Sequence, residues 1–271
     1  MKQDIGALKQ KAKWLRLKVL ESVVSAKMGH IGGTYSCVEI FIALYYGKIL
    51  NFDPKDPGWK DRDRFVVGKG QCCLAMYHIL ADLGVIPLNE VLDFGKNGSP
   101  LGGHMDIHTP GIEYNTGSLG HAIGIASGMA LASKMSGKNS RAFALSGDGE
   151  CAEGSVWESA SFAARNGLNN LICIVDRNRL GVTATVEDED ESAGIKEKFE
   201  ANGWETRHIN GHDFDELISA LTLPSAKPVA VIAETVKGKG VSFMENNIRW
   251  HHGAPTEEET KIARKELEMR Q

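Results

Sequence analysis

Two short runs that are apolar at every position constrain the fold more than anything else in this chain. LICIV, residues 171–175, and VAVIA, residues 229–233, offer no polar face. A strand alternates its side chains between two faces, so a strand without a polar face has to be covered on both. Such strands belong to a parallel sheet with helices above and below. The rest of the chain supplies the alternation that this sheet needs. Strand-like segments at 65–67, 142–145, 171–175, 205–209 and 229–233 are separated by helix-like segments at about 72–83, 154–165 and 193–201, and by a helix opening after His212. Ahead of them, residues 5–27 have helical spacing, with Leu8, Leu15, Val19 and Val23 in one stripe of a surface helix. The expected fold is a three-layer α/β/α domain with a mainly parallel sheet, spanning residues 1–271 as one unit. Its character changes at about residue 238, where GKGVSFMENNIRWHHGAP is irregular and leads into a charged helix.

Composition narrows the classes of function. A chain of 271 residues that is 42% apolar can bury a full core. A formal net charge of −4 and the lack of any Lys/Arg run argue against a nucleic-acid or membrane-surface role, since both need a concentrated basic face. Glycine is frequent, 30 residues of 271, so many close backbone approaches are expected. The cysteines, Cys37, Cys72, Cys73, Cys151 and Cys173, are odd in number and contain no C-x-x-C, which indicates neither a disulfide framework nor a zinc site. The start, MKQDIGALKQKAKW, lacks the apolar core of a signal peptide, and no apolar run reaches the ~18 residues of a membrane span. The expected location is the cytoplasm.

GDGECAEG, residues 147–154, sets Asp148 and Glu150 among glycines directly after a strand. A strand that ends in Gly-Asp-Gly and opens into a helix can bring bare backbone amides to a phosphate while the carboxylate faces a cation. Gly and Asp are also among the commonest turn residues, so the motif taken alone more often describes a plain loop. A second strand end adds weight. LICIVDRNRL closes its strand at Val175 and then offers Asp176, Asn178 and the carbonyl of Leu180. Asp148 and Asn178 are thirty residues apart, room for one crossover helix, so adjacent parallel strands would bring both to the sheet edge where ligands bind. A carboxylate, an amide oxygen, a carbonyl, two diphosphate oxygens and a water would complete the roughly six oxygens that magnesium takes.

Gly-Asp-Gly followed about thirty residues on by Asn resembles the diphosphate-binding signature of thiamine diphosphate enzymes, and further words narrow the likeness to transketolases. MGHIGGTYSCVEI, DRFVVGKG, LGGHMD, TPGIEYNTGSLGHAIGIASGMALA, GDGECAEGSVWE, DRN, GHDFDEL, KPVAVIAETVKGKGVSFMEN and HHGAP follow the order of the transketolase N-terminal half, across about residues 10–260. The resemblance implies that Asp148, Asn178 and the Leu180 carbonyl hold Mg2+, with Ca2+ or Mn2+ as substitutes. It also implies that Gly147 and Gly149 let the backbone approach the diphosphate of thiamine diphosphate and that Gly117 and Leu119 support the cofactor. Glu153 and Glu158 match acidic residues of a proton-sharing network that reaches the cofactor across a subunit interface; read without the likeness they are a helix N-terminal charge and an ordinary exposed glutamate. His30, His104 and His252 match the histidines of the active-site channel, which move protons and hydrogen-bond a developing alkoxide. His30, His252, Glu153 and Gln71 also count among the cofactor-binding residues, while His121 and His251 are weaker candidates.

Two departures from the family pattern stand out. Gly68, Lys69, Gly70 and Gln71 replace the usual S-K-G-H, which puts an amide where a histidine is expected and implies a roomier pocket wall at Gly68. Transketolases also continue into a pyrimidine-binding domain and a third domain, whereas this sequence ends at Gln271. The implied protein is the N-terminal subunit of a split transketolase. It would work with a separately encoded C-terminal subunit in an α2β2 assembly and pass a two-carbon ketol unit from a ketose to an aldose. The alternatives are a split thiamine diphosphate enzyme acting on a modified sugar or an α-keto acid, and a non-catalytic subunit of the same fold. Nothing supports an unrelated nucleotide-binding enzyme: there is no G-x-x-x-x-G-K-[ST], and no G-x-G-x-x-G follows a strand.

Overall fold

The computed structural model describes residues 3–181 and 189–269. Asp4 starts the first helix, α1 (Ile5–Ala26), by accepting the Ala7 amide hydrogen at 3.1 Å, and Lys27 ends it in a left-handed conformation, φ 55°. The stripe of Leu8, Leu15, Val19 and Val23 is buried, and so are Arg16 and Ser22, so α1 is more enclosed than a surface helix. Two short helices follow, α2 (Ile31–Ser36) and α3 (Val38–Tyr45), and both are almost wholly buried. Then come β1 (Arg64–Val67), α4 (Cys73–Asp82), α5 (Leu88–Leu92), α6 (Ala122–Met135), β2 (Ala142–Gly147), α7 (Gly154–Arg165) and β3 (Leu171–Arg177). The described chain closes with α8 (Glu189–Ala201), β4 (Glu205–Asn210), α9 (Phe214–Thr222), β5 (Val229–Glu234) and α10 (Glu257–Met269). No helix among the described residues is long and apolar enough to cross a membrane.

The five strands form one sheet in the order β1-β2-β3-β5-β4, with every neighbouring pair parallel. The two-faced apolar strands explain its burial. Phe143, Leu145, Ile172, Ile174, Val229 and Val231 pack into one core with α1 to α4, α9 and α10. Their neighbours Ala144, Cys173, Val175, Ala230 and Ile232 pack into a second core with α6, α7 and α8. Helices therefore cover both faces, as expected from the sequence.

The structure departs from the sequence reading further along the chain as well. β3 runs on to Arg177 instead of stopping at Val175, so Asp176 lies inside the ladder, opposite Gly147 and Ala233. The helix α6, AIGIASGMALASKM, has no counterpart in the sequence reading, because Gly124 and Gly128 oppose a helix and its alanine- and serine-rich faces give little apolar periodicity despite the helical propensity of alanine. Burial of Ala122, Ile123, Ala126 and Ala130 against the sheet is what fixes it.

Candidate active site

Parallel strands align their carboxyl ends, and four of the five ends contribute to one cleft of about 460 Å³. Lys69 and Gln71 come from beyond β1, Gly147 to Glu150 from the end of β2, Asn178, Leu180 and Gly181 from beyond β3, and Lys237 from beyond β5. His30, His104, Gly117, Leu119 and His251 close the remaining sides. A smaller cavity of about 190 Å³ shares His30, Gln71 and His104 with the cleft and adds His252 above an apolar floor of Met28, Cys73, Leu74 and Phe94.

Asp148 is buried just past β2. One carboxylate oxygen accepts from the Gly149 amide at 2.8 Å and the other from the Arg179 amide. Burial pushes its carboxyl above the usual range, and the nearby Asp176 carboxylate adds to the rise. Asn178 donates its side-chain N–H to Asp176 at 3.1 Å, which orients the amide and leaves Oδ1, an acceptor from the Leu180 amide at 3.2 Å, as its free end. The Leu180 and Gly181 carbonyls both accept from the Lys237 ammonium, at 2.8 and 2.9 Å. That ammonium also lies 2.9 Å from His251 Nδ1. Burial, followed by the charge of Lys69, lowers Lys237 to about 8.

Asp176 is not available to a cation. It is fully buried and accepts from the Lys69 ammonium, the Thr235 and Ser36 hydroxyls and the Asn178 amide. Burial alone would raise its carboxyl, and the Lys69 ammonium reverses this and holds it below the ordinary value. Asp176 is thus a hub that ties α2, β5 and the end of β1 to the residue that orients Asn178. Lys69 and Lys237 are site residues to which the sequence reading gave no role, and Glu150, paired there with Asp148, received none of its own. A signal was present for both lysines, since each follows an apolar strand within three positions.

The histidines form one cluster. The His30 ring centroid lies 4.6 Å from that of His252, 5.5 Å from His251 and 5.8 Å from His104. Burial, followed by the other three rings, lowers His30 to about 4, and burial with the Lys237 charge does the same to His251. Both are neutral imidazoles at pH 7, able to donate at one nitrogen and accept at the other. Gln71 touches both cavities. Glu153 and Glu158, by contrast, are exposed at the start of α7 and do not line either cavity. His121 is exposed too, with Nδ1 3.1 Å from the Leu119 carbonyl. The roomier wall expected at Gly68 is absent, because a Cβ there would lie 2.3 and 2.4 Å from the two carboxylate oxygens of Glu150.

A cleft of this size at the carboxyl edge of a parallel sheet, walled by a Gly-Asp-Gly turn and an oriented Asn, is the place where an open α/β domain takes a ligand. The family model described as "Transketolase, thiamine diphosphate binding domain" matches residues 8–271. The chain belongs to the transketolase family. It is 40% identical over 258 residues to an apulose-4-phosphate transketolase subunit of Phocaeicola vulgatus, covering 94% of this chain and 92% of that one. It is 36% identical over 265 residues to the "6-deoxy-6-sulfo-D-fructose transketolase subunit SqwG" of a Clostridium species, covering 96% of each. Its fold superposes on the crystal structure of transketolase from Campylobacter jejuni with a TM-score of 0.91 at 32% identity, over 98% of this chain and 43% of that one. The chain thus spans nearly the whole of the first two relatives and under half of the Campylobacter enzyme.

Proposed function

We propose that this chain is the N-terminal subunit of a two-component transketolase. It holds the metal-bridged diphosphate of thiamine diphosphate and, with a separate C-terminal subunit, moves a two-carbon ketol unit from a ketose to an aldose. One observation carries the reading: an oxygen-donor corner of Asp148, Asn178 and the Leu180 carbonyl opens into the same cleft as His30, His104 and His251. The donors are all hard oxygens, and no group of three His, Cys, Asp or Glu that could hold a metal occurs among the described residues. That set suits Mg2+, with Ca2+ or Mn2+ as substitutes, and not a zinc-type ion. Charge favours the same conclusion. Asp148 and Glu150 are buried carboxylates, and Lys69 is matched by Asp176, so Lys237 is the remaining ammonium in the wall. A diphosphate beside Asp148 would be repelled without a divalent cation between them.

Bound thiamine diphosphate supplies the electron sink for breaking the bond beside the ketose carbonyl. The chain's own groups do the rest. His30, His104 and His252 exchange hydrogen bonds and protons with substrate hydroxyls, and Gln71 hydrogen-bonds a hydroxyl or carbonyl without titrating. Glu153 and Glu158, exposed in the isolated chain, face the C-terminal partner and link cofactor sites across an α2β2 interface. The whole chain serves as one cofactor-binding unit in the cytoplasm. The relatives named for apulose-4-phosphate and for 6-deoxy-6-sulfo-D-fructose support an unusual ketose as donor, and Gln71, standing between the two cavities, is the residue of this chain that fits that view.

The test is reconstitution. The chain alone should show no ketol transfer and should gain it with its C-terminal partner. Calorimetry on the pair should show magnesium-dependent binding of thiamine diphosphate that Asp148→Ala removes. Activity from the single chain, or unchanged binding in Asp148→Ala, would overturn the reading.

A further inference from the structure

The Glu150 carboxylate stands where three segments of the cleft wall meet. One oxygen accepts the Gly120 amide at 2.9 Å and the other accepts the Gly147 amide at 3.1 Å. Gly147 ends β2, next to Asp148, and Gly120 closes the loop that brings Gly117 and Leu119 to the cleft. The Gly120 carbonyl is held as well, by the Ser155 hydroxyl at 2.9 Å. Both polar groups of Gly120 are therefore tied to the segment that follows β2. Glu150 is 2% exposed, so water cannot replace it as acceptor for these amides. Two converging N–H groups need two acceptors, and among side chains of this length only a carboxylate offers both; glutamine would turn an NH2 toward one of the donors. The third segment is the end of β1, where Glu150 occupies the volume that a side chain at Gly68 would need.

We propose that Glu150 is a positioning residue: its carboxylate pins the 117–120 loop to the carboxyl end of β2, and it does so in the space beside Gly68. The geometry stands by itself, while the consequence for cofactor binding rests on the function proposed above. An ordinary buried hydrogen bond would stabilise the fold at large. A positioning brace acts on two amides and on the site they border.

The experiment uses the full chain with Glu150→Gln, Gly68→Ser and the Gly68→Ser/Glu150→Ala pair. NMR-detected hydrogen exchange in Glu150→Gln should speed up at least ~10-fold at Gly120 or Gly147, with the amides of β3 and β5 unchanged. A serine at 68 would meet the carboxylate that Gly120 and Gly147 hold in place, so Gly68→Ser should lower the melting temperature, and adding Glu150→Ala should raise it again although that change removes further contacts. On the reconstituted pair, Glu150→Gln should weaken magnesium-thiamine diphosphate binding by roughly 5- to 10-fold. Unchanged exchange in Glu150→Gln, a double variant no more stable than Gly68→Ser, or unaltered cofactor affinity each overturns the proposal. A wild-type pair that binds no thiamine diphosphate would sink the functional reading instead, with exchange and the double variant still deciding the brace.

Discussion

Replacing Asp176 with alanine should be among the most destabilising single changes at this site. The carboxylate is fully buried and receives four donors: the Lys69 ammonium, the Thr235 and Ser36 hydroxyls and the Asn178 amide. Its removal leaves the Lys69 ammonium, itself 4% exposed, with the Gly33 carbonyl at 3.1 Å and the Ser36 hydroxyl at 3.4 Å. Breaking a buried ion pair from one side costs about 3–5 kcal/mol, because the orphaned charge keeps its desolvation penalty. At about 2 °C per kcal/mol for a domain of this size, the melting temperature should fall by roughly 6–10 °C. The double variant Asp176→Asn/Lys69→Met removes both charges and should recover at least half of that loss. The pH dependence has a defined sign. Asp176 titrates below its unfolded value, so its contribution is present above about pH 4 and is lost as pH falls through the folded pKa. Lys69 is raised by Asp176 against the opposing effect of burial, so its contribution is present below about pH 10 and is lost as pH rises through the folded pKa. By denaturant unfolding, wild type should keep the pair's contribution from pH 5 to 9, while the unpaired, buried Lys69 of Asp176→Ala gives up its proton more readily, so the gap should be widest near pH 5 and narrow toward pH 9. A gap under about 1 kcal/mol near pH 5, or a double variant no better than Asp176→Ala, would refute the account of a buried, mutually dependent pair.

A Cβ on Gly70 would lie 2.0 Å from Thr116 Oγ1 and 2.4 Å from Thr116 Cβ, both on a stiff β-branched side chain. Gly70→Ala should cost about 1–3 kcal/mol by unfolding, and Thr116→Gly in the same chain should return part of it. His30 should titrate near 4 by NMR and His251 near the same value; since the unfolded chain takes up these protons below about 6.5, they make stability fall as pH drops from 6.5 toward 4. A His30 pKa above 6 would contradict the burial seen. Gln71→His on the reconstituted pair should alter the kcat/KM ratio between the native donor and an ordinary ketose phosphate by at least ~10-fold, about 1.4 kcal/mol of transition-state discrimination. Equal effects on all donors would remove Gln71 from specificity.

The sheet was legible because its strands carry their environment in their composition. LICIV and VAVIA have to be covered on both faces, and the two cores do cover them. The boundary of β3 was not legible, since Asp176 and Arg177 look like turn residues until their partners are known, and these are Lys69 for one and Glu234 for the other. α2 was hidden in IGGTYS, where two glycines oppose a helix and only burial among α1, α4 and the 248–251 turn explains one.

The site divides along the same line, between what one stretch of backbone dictates and what distant stretches dictate together. Gly147, Asp148 and Gly149 form a local turn after a strand, so their exposure to the cleft follows from the sequence. The roles of their neighbours do not. Lys69 and Asp176 are 107 residues apart, and Glu150 and Gly68 belong to different strand ends. A parallel sheet gathers every residue just beyond a strand's carboxyl end at one edge, so Lys69, Asp148, Glu150, Asn178 and Lys237 were all candidates by position. Position cannot sort them; partners do. Asp176 is used up by Lys69 and three further donors, whereas each oxygen of Asp148 and of Glu150 is met by a single neutral N–H and keeps a lone pair to spare. Partners therefore exclude Asp176, and between the other two Asp148 is favoured because its second oxygen is held by the Arg179 amide, beside Asn178, while both oxygens of Glu150 face the glycine segments at 120 and 147.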